Sequence, residues 1–350
     1  MKILHIVGAR PQFMKLSPLF HELKNRNIYQ KILHTGQHFD EKMSSVFFDE
    51  LKIPKPDFNL NINSLSHGAM TGRMIEEIEK ILLRSEFNYV IVYGDTNSTV
   101  AGAVAAKKIG INVVHIESGV RNNDKLMPEE INRVITDRIS DLLFCATNLS
   151  YNNLVNEGYL DYDCLVENVG DLMLDCSLIH KEKIKATQKS NFILVTCHRA
   201  SNTTKNRIHE IVYALNNINK THKVIFSVHP RTQKIIDSLD LKPQFECIKP
   251  VGYFHFLGLL NNCKYLITDS GGAVREAYFF KKPSLLILEK PLWPELTEAG
   301  VCINCKPQKN EIISSFSSLE SSNYNFKSNI FGRGNTRKLI VNSIIKYDNR

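Results

Sequence analysis

Tyr89-Val-Ile-Val-Tyr-Gly-Asp-Thr-Asn-Ser98 is an unbroken β-branched and aromatic run that stops at a polar turn. Such a run predicts a strand buried on both faces, and the turn leads into a helical pattern over Ser98–Lys108. Strand, polar turn and helix together are the repeating half of a doubly wound parallel sheet. Ligands of such sheets collect outside the carboxyl ends of the strands, where Asp95 stands. Asp95 has two readings there, the N-cap of the following helix and a catalytic carboxylate, and both stay open.

The same rhythm extends in both directions. Towards the N-terminus, Ile3–Val7 is a strand ending in Gly8-Ala-Arg10-Pro11, an amphipathic helix follows over Gln12–Asn25, Tyr29–Thr35 is a second strand, and Ser66–Leu83 is helical. Towards the C-terminus, the strand Asn112–Ile116 runs into His115-Ile-Glu-Ser-Gly-Val-Arg121. Pro128 then opens a helix carrying Glu129, Glu130 and Arg133, and Leu142–Ala146 is the next strand. The rhythm pauses at Val166–Asp171, and a charged segment, Lys181–Ser190, precedes its restart. Phe192–Thr196 delivers Cys197-His198-Arg199, and Lys223–Val228 delivers His229-Pro-Arg231. After a weaker strand over Phe245–Val251, Tyr265–Thr268 runs into Asp269-Ser270-Gly271-Gly272, and the helix beyond carries Glu276. Ser284–Leu288 is a last buried strand, Ser314–Asn329 is a serine- and asparagine-rich stretch of low complexity, and a helix over Asn335–Ile345 closes the chain. The expected fold is α/β: two doubly wound Rossmann-like domains, 1–168 and 172–330, facing a central cleft. Residues 331–350 are expected to form a C-terminal helix packed back on the first domain.

Composition narrows the function. At 350 residues and 43% hydrophobic the chain can bury two sizeable cores. The net charge of +8, from 44 basic against 36 acidic residues, comes without long basic blocks, so a phosphorylated small molecule accounts for it and nucleic acid is not expected. No apolar run approaches the roughly 18 to 20 residues of a membrane span, and a strand begins at Ile3, so a cytoplasmic protein is expected. Eight scattered cysteines read as reduced thiols, and Cys302/Cys305, a lone CxxC without a second pair, reads as a chance pair near a turn.

The turns carry the chemistry. Arg10 and Lys15 beside the first glycine turn supply charge for a phosphate at a helix start, and Ser270-Gly271-Gly272 offers exposed amides and little bulk for a diphosphate. A carboxylate one turn on, Glu276, suits a ribose diol. No GxGxxG dinucleotide fingerprint occurs. Asp95, Glu117 and Glu129 at strand ends and a helix start are what proton transfer at carbon requires, since a base and an acid must reach one substrate. A divalent metal among these carboxylates is the lesser alternative, because their spacing matches no metal motif.

Gly8-Ala-Arg-Pro-Gln-Phe-Met-Lys15, Tyr93-Gly-Asp-Thr96, His115-Ile-Glu-Ser-Gly-Val-Arg121, Pro128-Glu-Glu-Ile-Asn-Arg133, Cys197-His-Arg199 and Thr268-Asp-Ser-Gly-Gly272 with Glu276 occur in this order. Together they resemble the non-hydrolysing UDP-N-acetylglucosamine 2-epimerases. The resemblance implies a GT-B-like fold and epimerisation at C2 of a UDP-sugar by elimination and re-addition of UDP, without NAD or metal. It also implies a homodimer. By resemblance, Asp95, Glu117 and Glu129 are the acid/base candidates, and Arg10, Lys15, Arg133 and His198 bind the nucleotide or stabilise the leaving group. Ser270, Gly271, Gly272 and Glu276 hold the diphosphate and ribose, and His229 and Phe256 complete the UDP-sugar contacts. Glu130, next to Glu129 on one helix, must point elsewhere and is expected to be structural.

Leu288 and Trp293 stand where well-known members tend to carry arginines, and Ser201 replaces a glutamate common after the His-Arg pair. Tryptophan near Trp293 resembles relatives that epimerise UDP-2,3-diacetamido-2,3-dideoxy-glucuronate, which makes that sugar the alternative substrate. A hydrolysing epimerase, a GT-B glycosyltransferase and a non-catalytic nucleotide sensor are the other readings.

Overall fold

The computed structural model describes residues 1–37, 47–184, 191–199, 201–326 and 329–349, so 185–190 of the charged segment lie outside it. The chain forms two compact units, Met1–Ile179 with Asn329–Arg350, and His180–Ser328.

The first unit is built on β1 (Lys2–Val7), β2 (Tyr29–His34), β3 (Phe58–Asn59), β4 (Tyr89–Tyr93), β5 (Asn112–Ser118), β6 (Leu142–Cys145) and β7 (Leu165–Asn168). They pair in parallel in the order β3-β2-β1-β4-β5-β6-β7. The order reverses between β1 and β4, so the turns after these two strands are neighbours at the carboxyl edge. Every residue of β4 is buried, as its unbroken apolar run requires in a sheet covered on both faces. Leu4, Ile6, Val90, Val92 and Val113 pack one face against Met74, Ile78 and Leu82 of the helix His67–Leu83 and the alanines of the helix Asn97–Lys108.

His5 interrupts the apolar run of β1 and is fully buried, with Nδ1 2.7 Å from the Tyr93 hydroxyl and Nε2 2.9 Å from Gln30 Oε1. Burial lowers its pKa from 6.5 to about 4, against an opposing effect of the Gln30 hydrogen bond. Between those two values an unfolded chain takes up a proton that the folded one refuses, so acidification favours unfolding. Stability is expected to fall between pH 7 and pH 4.5 by up to about 3 kcal/mol on this account. Urea midpoints across that range check it, and His5→Gln should flatten the dependence.

The second unit carries β8 (Phe192–Cys197), β9 (Lys223–Val228), β10 (Glu246–Ile248), β11 (Tyr265–Thr268), β12 (Ser284–Ile287) and β13 (Cys302–Cys305). These too are parallel, in the order β10-β9-β8-β11-β12-β13, with the reversal between β8 and β11. The short, mixed run Cys302-Ile-Asn-Cys305 does not announce β13, and Cys302 and Cys305 are expected near a turn. They lie on one strand three residues apart, so their side chains point to opposite faces and share no site. None of the eight cysteines forms a disulfide.

Other expectations change as well, among them those for the low-complexity stretch and for the domain boundary. The low-complexity stretch begins inside a helix, Lys309–Ser321, because Ile312, Phe316 and Leu319 form an apolar stripe beneath the serines and join the second core. The helix Leu172–Ile179, placed by the pause at 166–171 in the second domain, belongs to the first unit. Its buried Asp175 accepts from Thr336 N, Arg337 N and Arg337 Nη1 at 3.1, 3.0 and 2.9 Å, capping the closing helix Thr336–Asp348. Among the described residues no helix is long and apolar enough to cross a membrane.

Candidate active site

In the first unit the carboxyl edge gathers at the ends of β4 and β5. Gly94 leaves β4 in the left-handed region, with φ 64°, and β5 ends in a bulge at which Glu117 adopts φ 70°. A non-glycine residue held there costs of order 1 to 3 kcal/mol, and such strain persists where the surroundings enforce it. What it achieves here is aim: the Glu117 carboxylate meets Lys15 Nζ at 2.8 Å, with both side chains largely buried. A Cβ on Gly94 would lie 3.3 Å from Lys15 Nζ and 3.8 Å from Glu117 Oε1, so the ion pair sits over the β4 turn, beside Asp95.

Asp95 is not the N-cap. Thr96 caps the helix Asn97–Lys108 by accepting from Thr99 N at 3.3 Å, which leaves the Asp95 carboxylate to pair with Arg133 Nη2. Arg133, expected at a phosphate, is buried and divided between two carboxylates, Asp95 and Glu130, the latter at 2.6 Å. Both of its arms are thus held within the unit. Glu130 also accepts from Asn122 N and Asn123 N at 3.0 and 2.9 Å, clamping the loop before its helix. Glu129, one residue earlier, stands exposed in the first turn of the helix Pro128–Ile139, and no hydrogen bond or ion pair joins its carboxylate to a described residue. Asn132 donates to Asp95 O at 3.0 Å.

The first glycine turn is knitted to the same place. Gln12 Oε1 accepts from Gly8 N and Ala9 N at 2.7 and 2.9 Å, while its amide donates to Tyr93 O at 2.8 Å. A Cβ on Gly8 would fall 2.1 Å from Thr35 Oγ1 and 2.2 Å from Ser98 Oγ, so this glycine serves packing within the chain. Arg10 opens the helix Arg10–Asn25, half-buried, with its guanidinium 5.8 Å from the Phe47 ring centre. Behind β5 lies a buried network. His115 Nδ1 is 2.6 Å from Asp137 Oδ1, and Asp137 Oδ2 accepts from Gly119 N at 3.1 Å and Arg121 Nη1 at 2.6 Å. Burial alone would push the Asp137 carboxyl up, but His115 and Arg121 outweigh it and hold the group below its ordinary value.

In the second unit the adjacency of β8 and β11 brings Asp269 under the Cys197–Arg199 turn. Fully buried, it accepts from His198 N, Arg199 N and Asn202 Nδ2 at 3.0, 2.9 and 3.3 Å, and from Cys197 Sγ at 3.3 Å. The half-exposed His198 ring places Nδ1 3.3 Å from Asp269 Oδ1 and its centre 6.3 Å from that of His229. Ser270 caps the helix Gly271–Phe279 by accepting from Ala273 N, and Glu276 is buried on that helix. Trp293, considered as a marker of the sugar, is buried. Its Nε1 donates to Gly271 O at 3.2 Å and its ring lies 4.5 Å under the Arg275 guanidinium, so it braces the glycine turn. Leu288 is buried as well. Phe256 lies half-buried in the first turn of the helix Tyr253–Asn262, outside the contacts that join His198, His229 and Asp269.

Gln12, Asn132, Asp137 and Asp269 were not singled out as functional from the sequence. Only Asp269 carried a usable signal, an Asp at the end of an apolar strand, as at Asp95. Among the described residues, no group of three or more His, Cys, Asp or Glu is gathered as a metal site.

The family model described as UDP-N-acetylglucosamine 2-epimerase matches residues 21–345. The chain belongs to the UDP-N-acetylglucosamine 2-epimerase family. It is therefore an isomerase. The UDP-2,3-diacetamido-2,3-dideoxy-D-glucuronate 2-epimerase of Pseudomonas aeruginosa is 41% identical, over 99% of this chain and 100% of that protein. A UDP-N-acetylglucosamine 2-epimerase of Methanococcus maripaludis is 40% identical over 98% of each. The crystal structure of the Methanocaldococcus jannaschii UDP-GlcNAc 2-epimerase in complex with UDP-GlcNAc and UDP matches with a TM-score of 0.92 at 38% identity, covering 99% of this chain and 100% of that one. Both sheets of this epimerase thus have the Rossmann-like parallel order of its solved relatives.

Proposed function

We propose that the protein inverts C2 of a UDP-N-acetylhexosamine, interconverting UDP-GlcNAc and UDP-ManNAc, for synthesis of a cell-surface polysaccharide precursor. The C2 hydrogen has no adjacent carbonyl to acidify it, so direct deprotonation is too costly. A carboxylate removes that proton while the C1–O bond breaks, its electron pair leaves with UDP, and a C1=C2 double bond forms. UDP then re-adds at C1 as a proton reaches the opposite face of C2. The observation that carries this reading is the pair Asp95 and Glu117. Two carboxylates stand at adjacent strand ends, each fixed by its own buried cation, Arg133 and Lys15.

The Ser270-Gly-Gly turn at a helix start, with the His198 and His229 rings, supplies donors for the departing diphosphate, where negative charge grows in the transition state. Glu276 serves the ribose, and Arg10 and Glu129 complete the substrate contacts from the first unit. UDP-2,3-diacetamido-uronic acid is the second reading, favoured by the likeness to the Pseudomonas aeruginosa enzyme. Eight cysteines with no disulfide among them fit a reducing cytoplasm, and the exposed stripe of Ile131, Val134 and Ile135 fits a homodimer formed through the first unit.

Incubation with UDP-GlcNAc in deuterated water tests the chemistry. One deuterium at C2 of both epimers is expected; turnover with the C2 hydrogen retained would mean glycosyl transfer, and release of free N-acetylmannosamine would mean hydrolysis. Mass spectra of products from both candidate sugars identify the substrate.

A further inference from the structure

We propose that His115 is a positioning residue that clamps the Gly94–Asp95 turn to the end of β5 and so sets the placement of both Asp95 and Glu117. The inference rests on the acid/base role proposed for those carboxylates. His115 is wholly buried, and its ring bridges two elements: Nε2 lies 2.7 Å from Gly94 O and Nδ1 lies 2.6 Å from Asp137 Oδ1. One ring nitrogen thus faces a backbone carbonyl and the other a carboxylate.

The connections converge on the strained residue. The Gly94 amide donates to Ile116 O at 2.9 Å, so consecutive residues of β5 hold Gly94 by its N–H and by its C=O. Asp137, which receives His115, also receives Gly119 N. Residues 115 and 119 are therefore tied to one carboxylate, and Glu117, at φ 70°, lies midway between the two ties. Through His115 the β4 turn and the β5 bulge become one rigid piece, which is what a base and an acid addressing one carbon need: misplacement by a fraction of an ångström costs rate before it costs binding.

Two substitutions separate this role from a buried histidine that merely fills space. In His115→Asn the amide nitrogen takes the place of Nδ1, keeping the bond to Asp137 and losing the one to Gly94. In His115→Gln the nitrogen takes the place of Nε2, with the reverse result. His115→Asn is expected to stay folded, with kcat lowered tenfold or more, KM within about twofold, and amide exchange of the segment Tyr93–Thr96 about tenfold faster. His115→Gln should restore kcat to within about threefold and keep that segment protected, even at a lower Tm. Unchanged protection of the segment in His115→Asn, or losses of kcat that follow Tm alike in both variants, would overturn the clamp. A wild-type protein that binds the UDP-sugar without exchanging its C2 hydrogen would overturn the acid/base reading instead, and the amide exchange would still decide the clamp.

Discussion

Glu117→Gln is expected to lower turnover by about a hundredfold or more while the protein stays folded and still binds the UDP-sugar, as removal of an essential acid or base does. The substitution preserves shape, so the bulge at φ 70° and the network behind it are retained. What it removes is the charge facing Lys15 at 2.8 Å and the capacity to carry a proton. Asp95→Asn should fall comparably, since its carboxylate is the other one held in place by a cation, and Glu129→Gln tests the exposed third carboxylate in the same way. The measurement is C2 deuterium incorporation per enzyme per second beside titration calorimetry with the UDP-sugar. Near-normal rates in all three variants would remove the mechanism, whereas lost binding with unchanged saturated rates would make these groups substrate contacts only.

Asp269→Ala is expected to give the largest loss of stability. Its carboxylate is the shared acceptor for two backbone amides, the Asn202 amide and the Cys197 thiol, and it is wholly buried. Each buried donor left without a partner costs about 1 to 3 kcal/mol, so the second unit should lose on the order of 3 to 5 kcal/mol, allowing for relaxation and water entry. Asp269→Asn keeps an acceptor oxygen and should lose less. Urea unfolding followed in the second unit reads the difference; an Asp269→Ala protein within about 1 kcal/mol of wild type would show that the 197–199 turn holds without it. Because the same carboxylate faces His198 Nδ1, a folded Asp269→Asn variant is also expected to bind UDP more weakly.

The strands were legible where apolar residues run unbroken, as at Tyr89–Tyr93 and Leu142–Cys145. They were not legible where a strand is short and mixed, as at Cys302–Cys305, or where serines hide a narrow apolar stripe, as at Ile312, Phe316 and Leu319. At the candidate site, Glu130 was correctly set apart from Glu129, because neighbours on a helix face different ways. The partners of Arg133 were not legible, because nothing local marks an arginine whose two arms are held by carboxylates, one of them nearly forty positions away.

By itself, the sequence determined the alternation of strand and helix, the division into two doubly wound sheets, the polar turns at strand ends and the ordered motifs of a 2-epimerase. Hydrophobic periodicity and turn chemistry are local, so they survive in a one-dimensional reading. Only the tertiary structure decided which charges meet. β1 lies beside β4, and β4 beside β5, which joins Lys15 to Glu117 across the Gly94 turn; β8 lies beside β11, which seats Asp269 under a turn some seventy residues earlier. Strand order is set by packing whole layers against one another, and the partners of a buried charge follow from that order and from no shorter stretch of chain.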